Sequence, residues 1–316
     1  MDPILECCAG LDVHQETVVA CILSGPLNKK PVKTLKTFST TTSQLLELAE
    51  WLEEKQCSHV AMESTGVYWK PVWNVLECFS FQVILANAKK VKNVPGKKTD
   101  MKDAEWIAQL LRCGLIEDSF VPDKDIRDLR DLTRYRKKLL HGVTQEKNRI
   151  HKILQDANIK LTTHMTDVFG VSGRNILELI LSGKKVTPKK LEKAVKGSLK
   201  SKIPLLVDAL NGRLRAHHLD MIRFSWDHLI YLEKAIASVE KQIERCLSDY
   251  SEEVSLLDSI PGVDDKGAAT IIAEIGTDMS IFPTANHLSS WAGVSPGNNE
   301  SAGKKKDVVP SREIKP

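Results

Sequence analysis

Four acidic residues stand apart from the other carboxylates of the chain because of their place in the sequence pattern. Asp12 lies inside an apolar, strand-like segment, and Glu63 ends a second one. Asp100 and Asp103 lie three residues apart near the start of a predicted helix, so they share one helical face. A charge inside an apolar strand is costly unless it is paired, and a divalent cation is the strongest partner for it.

Carboxylates at strand ends and on a helix face can converge on one metal site. Hard cations such as Mg²⁺ prefer oxygen ligands, and these four side chains offer only oxygen. Two such ions about 4 Å apart activate a water or hydroxyl and stabilise the leaving oxygen of a phosphodiester. We therefore predict that Asp12, Glu63, Asp100 and Asp103 bind one or two Mg²⁺ ions, which Mn²⁺ can replace.

Each of these acids also has an ordinary structural interpretation. Asp12 can hydrogen-bond a turn, and Glu63 can cap the helix that follows it. Asp100 fits a helix cap, and Asp103 fits a solvated acid in the first helical turn. Only the combination of all four, in an α/β order with a basic loop beside them, favours the metal interpretation.

Five segments have the apolar content or alternation of β-strands. They cover residues 5–12, 17–23, 33–40, 59–63 and 81–85. Helical patterns follow the third and fourth segments. Three consecutive strands followed by alternating helix and strand predict a mixed α/β sheet, in an order that matches the RNase H-like layout.

The rest of the chain is predicted to be helical. A long basic helix covers residues 126 to about 159, short helices fill 160–220, and an apolar stripe at 219–247 is compatible with a coiled coil. Residues 257–276 have a helix-hairpin-helix pattern, whose hairpin amides can meet a phosphate backbone. We predict a metal-binding domain at 1–125, a basic helical and coiled-coil region at 126–250, a C-terminal domain at 251–306 and a structureless tail at 307–316.

Composition favours a soluble cytoplasmic protein. The chain is 42% hydrophobic and 27% charged with a net charge of +4, and it contains no apolar run near the roughly 20 residues of a membrane span. Seven cysteines without a C-x-x-C pair indicate reduced thiols rather than a zinc site. No basic segment followed by an apolar core marks a signal peptide at the N-terminus.

Two cationic segments are candidates for nucleic-acid contact, the loop at 86–99 and the helix from 126. A charged, solvated helix is the alternative for the second segment. The predicted contacts are Lys97, Lys98, Arg127, Arg130, Arg134, Arg136, Lys137 and Lys138. Such contacts supply affinity that depends on salt and not on sequence.

Five motifs together are specific. They are Gly-Leu-Asp-Val-His at 10–14, Ala-Met-Glu-Ser-Thr-Gly-Val-Tyr-Trp at 61–69, Lys-Thr-Asp-Met-Lys-Asp-Ala at 98–104, Ile-Pro-Gly-Val at 260–263 and Leu-Ser-Ser-Trp-Ala-Gly-Val-Ser-Pro-Gly at 288–297. The set resembles the DEDD transposases of bacterial insertion sequences, the insertion sequence one-ten family with its eleven-eleven subgroup. The resemblance extends to about residue 306.

The resemblance implies a RuvC-like N-terminal domain, a coiled-coil middle and an α-helical C-terminal transposase domain. It places the metal-binding tetrad on Asp12, Glu63, Asp100 and Asp103. It also implies a serine nucleophile, here Ser301, that forms a covalent 5′-phosphoserine link to DNA. By residue pattern alone a serine in this Gly/Asn-rich loop is a flexible loop residue, and Ser295 is the second choice.

The same resemblance implies partners and a location. Members of the family use a structured bridge RNA that pairs with donor and target DNA. We therefore expect a bacterial, nucleoid-associated homodimer or homotetramer, assembled through the 219–247 helix. The family continues beyond Ser301 with a basic helical segment that residues 307–316 do not resemble, so we expect a truncated or diverted C-terminus and impaired recombination.

Two other functions remain open from the sequence. One is a RuvC-type, metal-dependent nuclease or junction resolvase that hydrolyses DNA without a serine adduct. The other is a truncated, non-catalytic relative that only binds nucleic acid.

Overall fold

The computed structural model describes residues 2–63, 66–88, 91 and 103–294, and the backbone of 300–301 and 304–305. It divides into two compact units, Met1–Val121 and Pro122–Pro316. Asp100, Lys97 and Lys98 lie outside the described residues. The finer division of the chain into three domains and a tail stays a prediction.

The first unit is built on a mixed five-stranded sheet. Its strands are β1 (Cys7–Val13), β2 (Thr17–Ser24), β3 (Val32–Ser39), β4 (His59–Glu63) and β5 (Gln82–Ala86), in the order β3-β2-β1-β4-β5. The first three form an antiparallel meander, β4 runs parallel to β1, and β5 runs parallel to β4. The predicted mixed α/β sheet is confirmed, and no predicted strand end is displaced by more than two residues.

One face of the sheet packs against α1 (Thr42–Glu54) and α2 (Trp69–Leu76). Alternation along the strands sends Leu11 and Met62 into this layer, and neither side chain has any exposed surface. The apolar positions of α1, including Leu45 and Leu48, recur at helical spacing and meet them.

The opposite face is covered by α3, whose described part is Asp103–Arg112. Cys8 and Ala61 on this face pack against Trp106 and Leu110 of the helix. Helices on both faces bury the central strands, as the apolar sequences of β1 and β4 require.

Between residues 122 and 294 the second unit is helical. Its helices are α4 (Lys124–Asp156), α5 (Val171–Leu181), α6 (Pro188–Ala194), α7 (Ile203–Ala209), α8 (Ala216–Leu247), α9 (Ser251–Asp258), α10 (Asp265–Ile275) and α11 (Ala285–Trp291), with short 3₁₀ turns at Leu161–Thr163, Gly197–Lys202, Ser248–Tyr250 and Met279–Ile281. The two long helices and the short helices predicted between them are present.

The apolar stripe of α8 is buried within the chain. Ile222, Leu229 and Leu232 belong to one core with Leu139 and Ile150 of α4. The predicted coiled-coil stripe therefore packs largely against another helix of the same unit. The opposite face of α8 leaves Phe224 at 67% and Tyr231 at 62% of full exposure.

Two helices, α9 and α10, flank the Pro261-Gly262 turn predicted as a hairpin. Gly262 has φ +89°, a left-handed value that favours glycine. Asp264 caps α10 by accepting a hydrogen bond from the Gly267 amide at 2.7 Å. Across the part of the chain that the structure describes, no helix is both long and apolar enough to span a membrane.

Candidate active site

Asp12 and Glu63 lie at the carboxyl ends of two neighbouring parallel strands. The pairing of β1 with β4 runs to Leu11 and Met62, and each acid is the next residue of its strand. Both acids are half-buried, in contrast to the fully buried Leu11 and Met62 on the other face. Successive side chains alternate between faces, so Asp12 and Glu63 share the face that α3 covers.

Gly10 determines how closely α3 approaches this face. A β carbon at residue 10 would lie 2.3 Å from both the Ala104 carbonyl oxygen and the Ala108 amide nitrogen. The helix backbone therefore rests directly on β1, and Ala104 and Ala108 have no exposed surface. This contact sets Asp103, the first described residue of α3, beside the strand that carries Asp12.

Arg112 anchors the other end of α3. The residue is only 2% exposed. Its guanidinium donates hydrogen bonds to the carbonyl oxygens of Leu5, Gly25 and Pro26, each at 3.1 Å. In return the Arg112 carbonyl accepts from the Ile4 amide at 2.7 Å. A buried charge with several satisfied donors fixes the helix along the sheet.

The charges of the two other described acids act on the carboxyl of Asp12. Burial raises the pKa of the Asp12 carboxyl, and the charges of Asp103 and Glu63 raise this pKa further. The His14 imidazole, with Nε2 at 3.2 Å from Asp12 Oδ2, opposes the increase. The site therefore concentrates negative charge that a cation would relieve.

The chemistry of the donors fits a hard divalent cation. The three described acids offer only carboxylate oxygens, which is the ligand type of Mg²⁺ and Mn²⁺ sites. Within the described ranges no three His, Cys, Asp or Glu side chains are grouped closely enough to hold a metal ion. The charges of Glu63 and Asp103 thus act on Asp12, but the three acids do not form a complete set of metal ligands. The fourth predicted ligand, Asp100, lies outside the described residues.

Ser301 is described only through its backbone. It lies in the two-residue strand β6 (Glu300–Ser301), which pairs antiparallel with β7 (Lys304–Lys305). Ser295 falls outside the described residues. The nucleophile assignment therefore stays a prediction.

All four arginines predicted to contact nucleic acid are engaged inside the second unit. Arg134 Nε and Nη2 bind the two carboxylate oxygens of Glu274 at 2.8 Å, and Arg130 donates to the Ala273 and Glu274 carbonyls. Arg136 pairs with Glu240 at 2.7 Å.

The other three predicted contacts on α4 are one engaged arginine and two exposed lysines. Arg127 donates to the Pro122 carbonyl at 3.0 Å. Lys137 and Lys138 are exposed. The role proposed for this helix in nucleic-acid binding therefore concentrates on these two lysines.

Three residues that position the acids were not identified from the sequence. Gly10 carried a signal, since an isolated glycine in a strand marks a close backbone approach. His14 follows Asp12 by two residues, the spacing that places side chains on one side of an extended chain. Arg112 had no local signal, because its three carbonyl partners lie 86 to 107 residues away in the sequence.

Two family models match the chain. A transposase model of the DEDD, IS110 type matches residues 9–159, and a model described as Transposase IS116/IS110/IS902 family matches residues 254–314. The second match includes residues 307–314, which is most of the C-terminal tail that was expected not to resemble the family.

Curated relatives match over a shorter stretch. Pilin gene-inverting proteins of Moraxella bovis and Moraxella lacunata are each 32% identical over 94 residues, which is 30% of this chain and 28% of the relative. The matched stretch therefore spans less than a third of these relatives.

Among solved structures, Thermus thermophilus RuvC shows similarity to this chain. RuvC in complex with a Holliday junction substrate is 12% identical with a TM-score of 0.27, covering 36% of this chain and 100% of that one. A second RuvC structure is 14% identical with a TM-score of 0.24, covering 36% and 84%.

Proposed function

The chain belongs to the IS116/IS110/IS902 family of transposases, and we propose that it is a DNA recombinase that cleaves and rejoins phosphodiester bonds at the carboxylates of Asp12, Glu63 and Asp103. The similarity to proteins named for gene inversion agrees with an exchange of DNA strands. The strand order β3-β2-β1-β4-β5 supports an RNase H-like, RuvC-like fold for the first unit.

One observation carries the proposal: three acids from three elements share one environment. Asp12 comes from β1, Glu63 from β4 and Asp103 from α3, and the pKa of Asp12 responds to the charges of the other two. A sheet stabilised only by packing gains nothing from three like charges at one edge. Such an arrangement is typical of a site that binds a cation.

Asp12, Glu63 and Asp103, with Asp100 as the fourth ligand, would hold Mg²⁺. When bound, the ion supplies Lewis-acid stabilisation of charge on the phosphodiester oxygens. Mn²⁺ accepts the same oxygen ligands and is the practical probe.

The protein's own residues position and pair these ligands. The contact of Gly10 with Ala104 fixes the distance between β1 and α3, and Arg112 fixes the helix along its axis. His14 Nε2 lies 3.2 Å from one carboxylate oxygen of Asp12 and would orient this carboxylate as a metal ligand. Rigid placement of this kind lowers the cost of organising the ligands.

We further propose that Ser301 is the nucleophile. Its hydroxyl oxygen would bond to phosphorus as the bond from phosphorus to the DNA 3′ oxygen breaks. The serine gives up its proton and the departing 3′ oxygen gains one, so the step is balanced. The product is a 5′-phosphoserine link that a second DNA strand end can reverse.

A labelled DNA duplex that carries the element's ends tests this step in Mg²⁺. The wild-type chain is expected to give a covalent protein–DNA species on a denaturing gel, and Ser301→Ala is expected to abolish it. Ser295→Ala is the matched control and retains the adduct. Hydrolysed DNA that forms equally in Ser301→Ala, with no adduct in either protein, would instead indicate a RuvC-type nuclease.

Asp12→Asn tests the role of the carboxylates in the same assay. Removing the central ligand is expected to abolish Mg²⁺-dependent cleavage while DNA binding persists. Glu54→Gln, a change of an exposed acid at the end of α1, serves as control and retains cleavage. Cleavage at the wild-type rate in Asp12→Asn contradicts the proposal.

The family resemblance also supports a structured guide RNA as a partner and assembly into a dimer or tetramer. Base pairing by the RNA would select donor and target DNA, and Lys137 and Lys138 would hold phosphates without sequence preference. Because the α8 stripe is buried within the chain, self-association through α8 would use the face with Phe224 and Tyr231. The Pro261-Gly262 turn between α9 and α10 is a further candidate for phosphate contact.

A further inference from the structure

The segment 184–202 carries an unusual share of the protein's positive charge. It contains eight lysines and a single acid, Glu192, and therefore has a net charge of +7. The whole chain has a net charge of +4, so the remaining residues sum to −3. This segment of 19 residues thus carries more net positive charge than the chain as a whole.

The backbone of this segment is packed against the core of the second unit. Leu191, Ala194 and Val195 are buried in or against the core of the second unit. Asn175 Nδ2 donates to the Ala194 carbonyl at 2.8 Å, which ties α6 to α5. The Lys196 amide donates to Ser172 Oγ at 2.9 Å. The lysines therefore stand on a fixed backbone.

The lysines face solvent. On α6, Lys189 and Lys193 are four residues apart and lie opposite the buried Leu191 and Ala194. Seven of the eight are exposed and one is half-buried; the exposed ones are Lys184, Lys185, Lys189, Lys193, Lys196, Lys200 and Lys202.

Within the described residues, no carboxylate forms an ion pair with any of the eight lysines. Two of them donate to backbone carbonyls, Lys190 to Lys185 at 2.8 Å and Lys202 to His164 at 3.4 Å. The arginines of α4 behave differently, since Arg134 and Arg136 are paired with Glu274 and Glu240. Clustered, unpaired like charges repel one another, and a polyanion would remove that repulsion.

We propose that the lysine surface, defined as the eight lysines of 184–202, binds the phosphodiester backbone of a nucleic acid. Ammonium groups on flexible stems act as point charges toward phosphates and read no bases. The surface lies between the two stretches that the family models match. It adds a binding site to the proposed function and does not depend on cleavage.

A groove beside the surface is compatible with this ligand. It has a volume of about 620 Å³, and its lining includes Lys184 and Lys185, one acid, Asp208, and the apolar Val207 and Leu214. Two lysines thus border a partly apolar cleft. Duplex DNA and single-stranded RNA share the phosphodiester chemistry, and the experiment distinguishes them.

The test uses the full chain with four substitutions, Lys189→Gln, Lys193→Gln, Lys196→Gln and Lys200→Gln. Binding to a labelled DNA duplex and to a labelled single-stranded RNA is measured by fluorescence anisotropy in EDTA over a range of salt. Affinity is expected to fall about tenfold or more, and each lost contact reduces the slope of log K against log salt by about 0.9 for duplex or about 0.7 for single strands. The ligand with the larger loss is the one the surface holds.

The matched control removes four exposed lysines elsewhere, by Lys29→Gln, Lys30→Gln, Lys234→Gln and Lys241→Gln. This variant has the same net charge and is expected to keep a nearly wild-type salt slope. Equal losses in the two variants would show that only total charge matters, and an unchanged slope in the 189–200 variant would show no contact. Either result overturns the proposal.

Failure of this proposal can be distinguished from failure of the proposed function. Asp12→Asn abolishes cleavage under the proposed function but leaves binding to the lysine surface intact. A chain that cleaves DNA at the carboxylates and shows no lysine-dependent binding retains the first proposal and loses the second.

Discussion

Gly10 in β1 lies directly beneath Ala104 of α3, so close that a β carbon at residue 10 would come within 2.3 Å of the Ala104 carbonyl oxygen. This contact joins the strand that carries Asp12 to the helix that begins at Asp103. The absence of one methyl group therefore controls the separation of two acids that belong to the candidate site.

Gly10→Ala is expected to force α3 away from the sheet. Because the new methyl group would meet backbone atoms rather than a flexible side chain, overpacking should cost about 1–3 kcal/mol of unfolding free energy. The displacement of Asp103 should also weaken Mn²⁺ binding. Urea denaturation and metal titration measure the two effects.

Gly142→Ala in α4 is the control for Gly10→Ala. Its β carbon would meet only the Leu232 side chain, at 3.3 Å from Cδ1, and alanine favours the helix. We expect stability near or above wild type there. Equal effects of the two substitutions would contradict the close contact at Gly10.

Arg112→Met is expected to destabilise the first unit. The change removes hydrogen bonds to three carbonyl oxygens and leaves those acceptors without this donor, which should cost about 2–4 kcal/mol. Arg112→Lys keeps the charge but not the planar fork and should restore only part of the loss. Arg245→Met on α8 changes an exposed arginine and should cost less than about 0.5 kcal/mol.

Cys7 is expected to be the most reactive thiol at neutral pH. A hydrogen bond with Cys57, whose Sγ lies 3.6 Å away, lowers the pKa of Cys7 below the ordinary thiol value. The thiolate is the reacting form, so alkylation should increase with pH and reach half its maximal rate at a lower pH for Cys7 than for an ordinary thiol. Burial raises the pKa of Cys8 to about 12, so Cys8 should stay unmodified.

Alkylation followed by mass spectrometry at each pH tests the Cys7 prediction. Cys57→Ala removes the hydrogen bond and should move the midpoint toward the ordinary thiol value of 9.0. A midpoint for Cys7 that does not change in Cys57→Ala would show that another group lowers its pKa.

Phe224→Glu with Tyr231→Glu is expected to reduce self-association. The two aromatic rings are seven residues apart on the exposed face of α8, and charge there should prevent burial in a partner. Light scattering after size-exclusion chromatography should show a smaller assembly. Leu256→Glu, at another exposed apolar side chain, should not change the mass, and an unchanged mass in the double variant places the interface elsewhere.

The sheet could be predicted from the sequence because its strands carry local signals. Alternating or continuous apolar residues placed all five strands, with Asp12 inside the first strand and Glu63 at the end of the fourth. The packing of α3 on Gly10 was less accessible, because a glycine in a strand indicates a close approach without identifying what approaches.

Contacts between distant residues explain what the sequence did not predict. Arg130 and Arg134 had the pattern of a nucleic-acid-binding helix, but Glu274, more than 100 residues away, engages both. The α8 stripe had the period of a coiled coil, and the residues that cover it belong largely to α4 of the same unit. Local patterns reveal which face is apolar or charged and not which partner covers it.

Titration of the full chain with Mn²⁺ by isothermal calorimetry tests the central claim most directly. Asp12, Glu63 and Asp103 should give the wild-type protein a saturable site, and Asp12→Asn should weaken it by at least about tenfold. Glu54→Gln should bind as the wild type does. Equal Mn²⁺ affinity in wild type and Asp12→Asn would contradict the account, since the acids would then share an environment without forming a metal site.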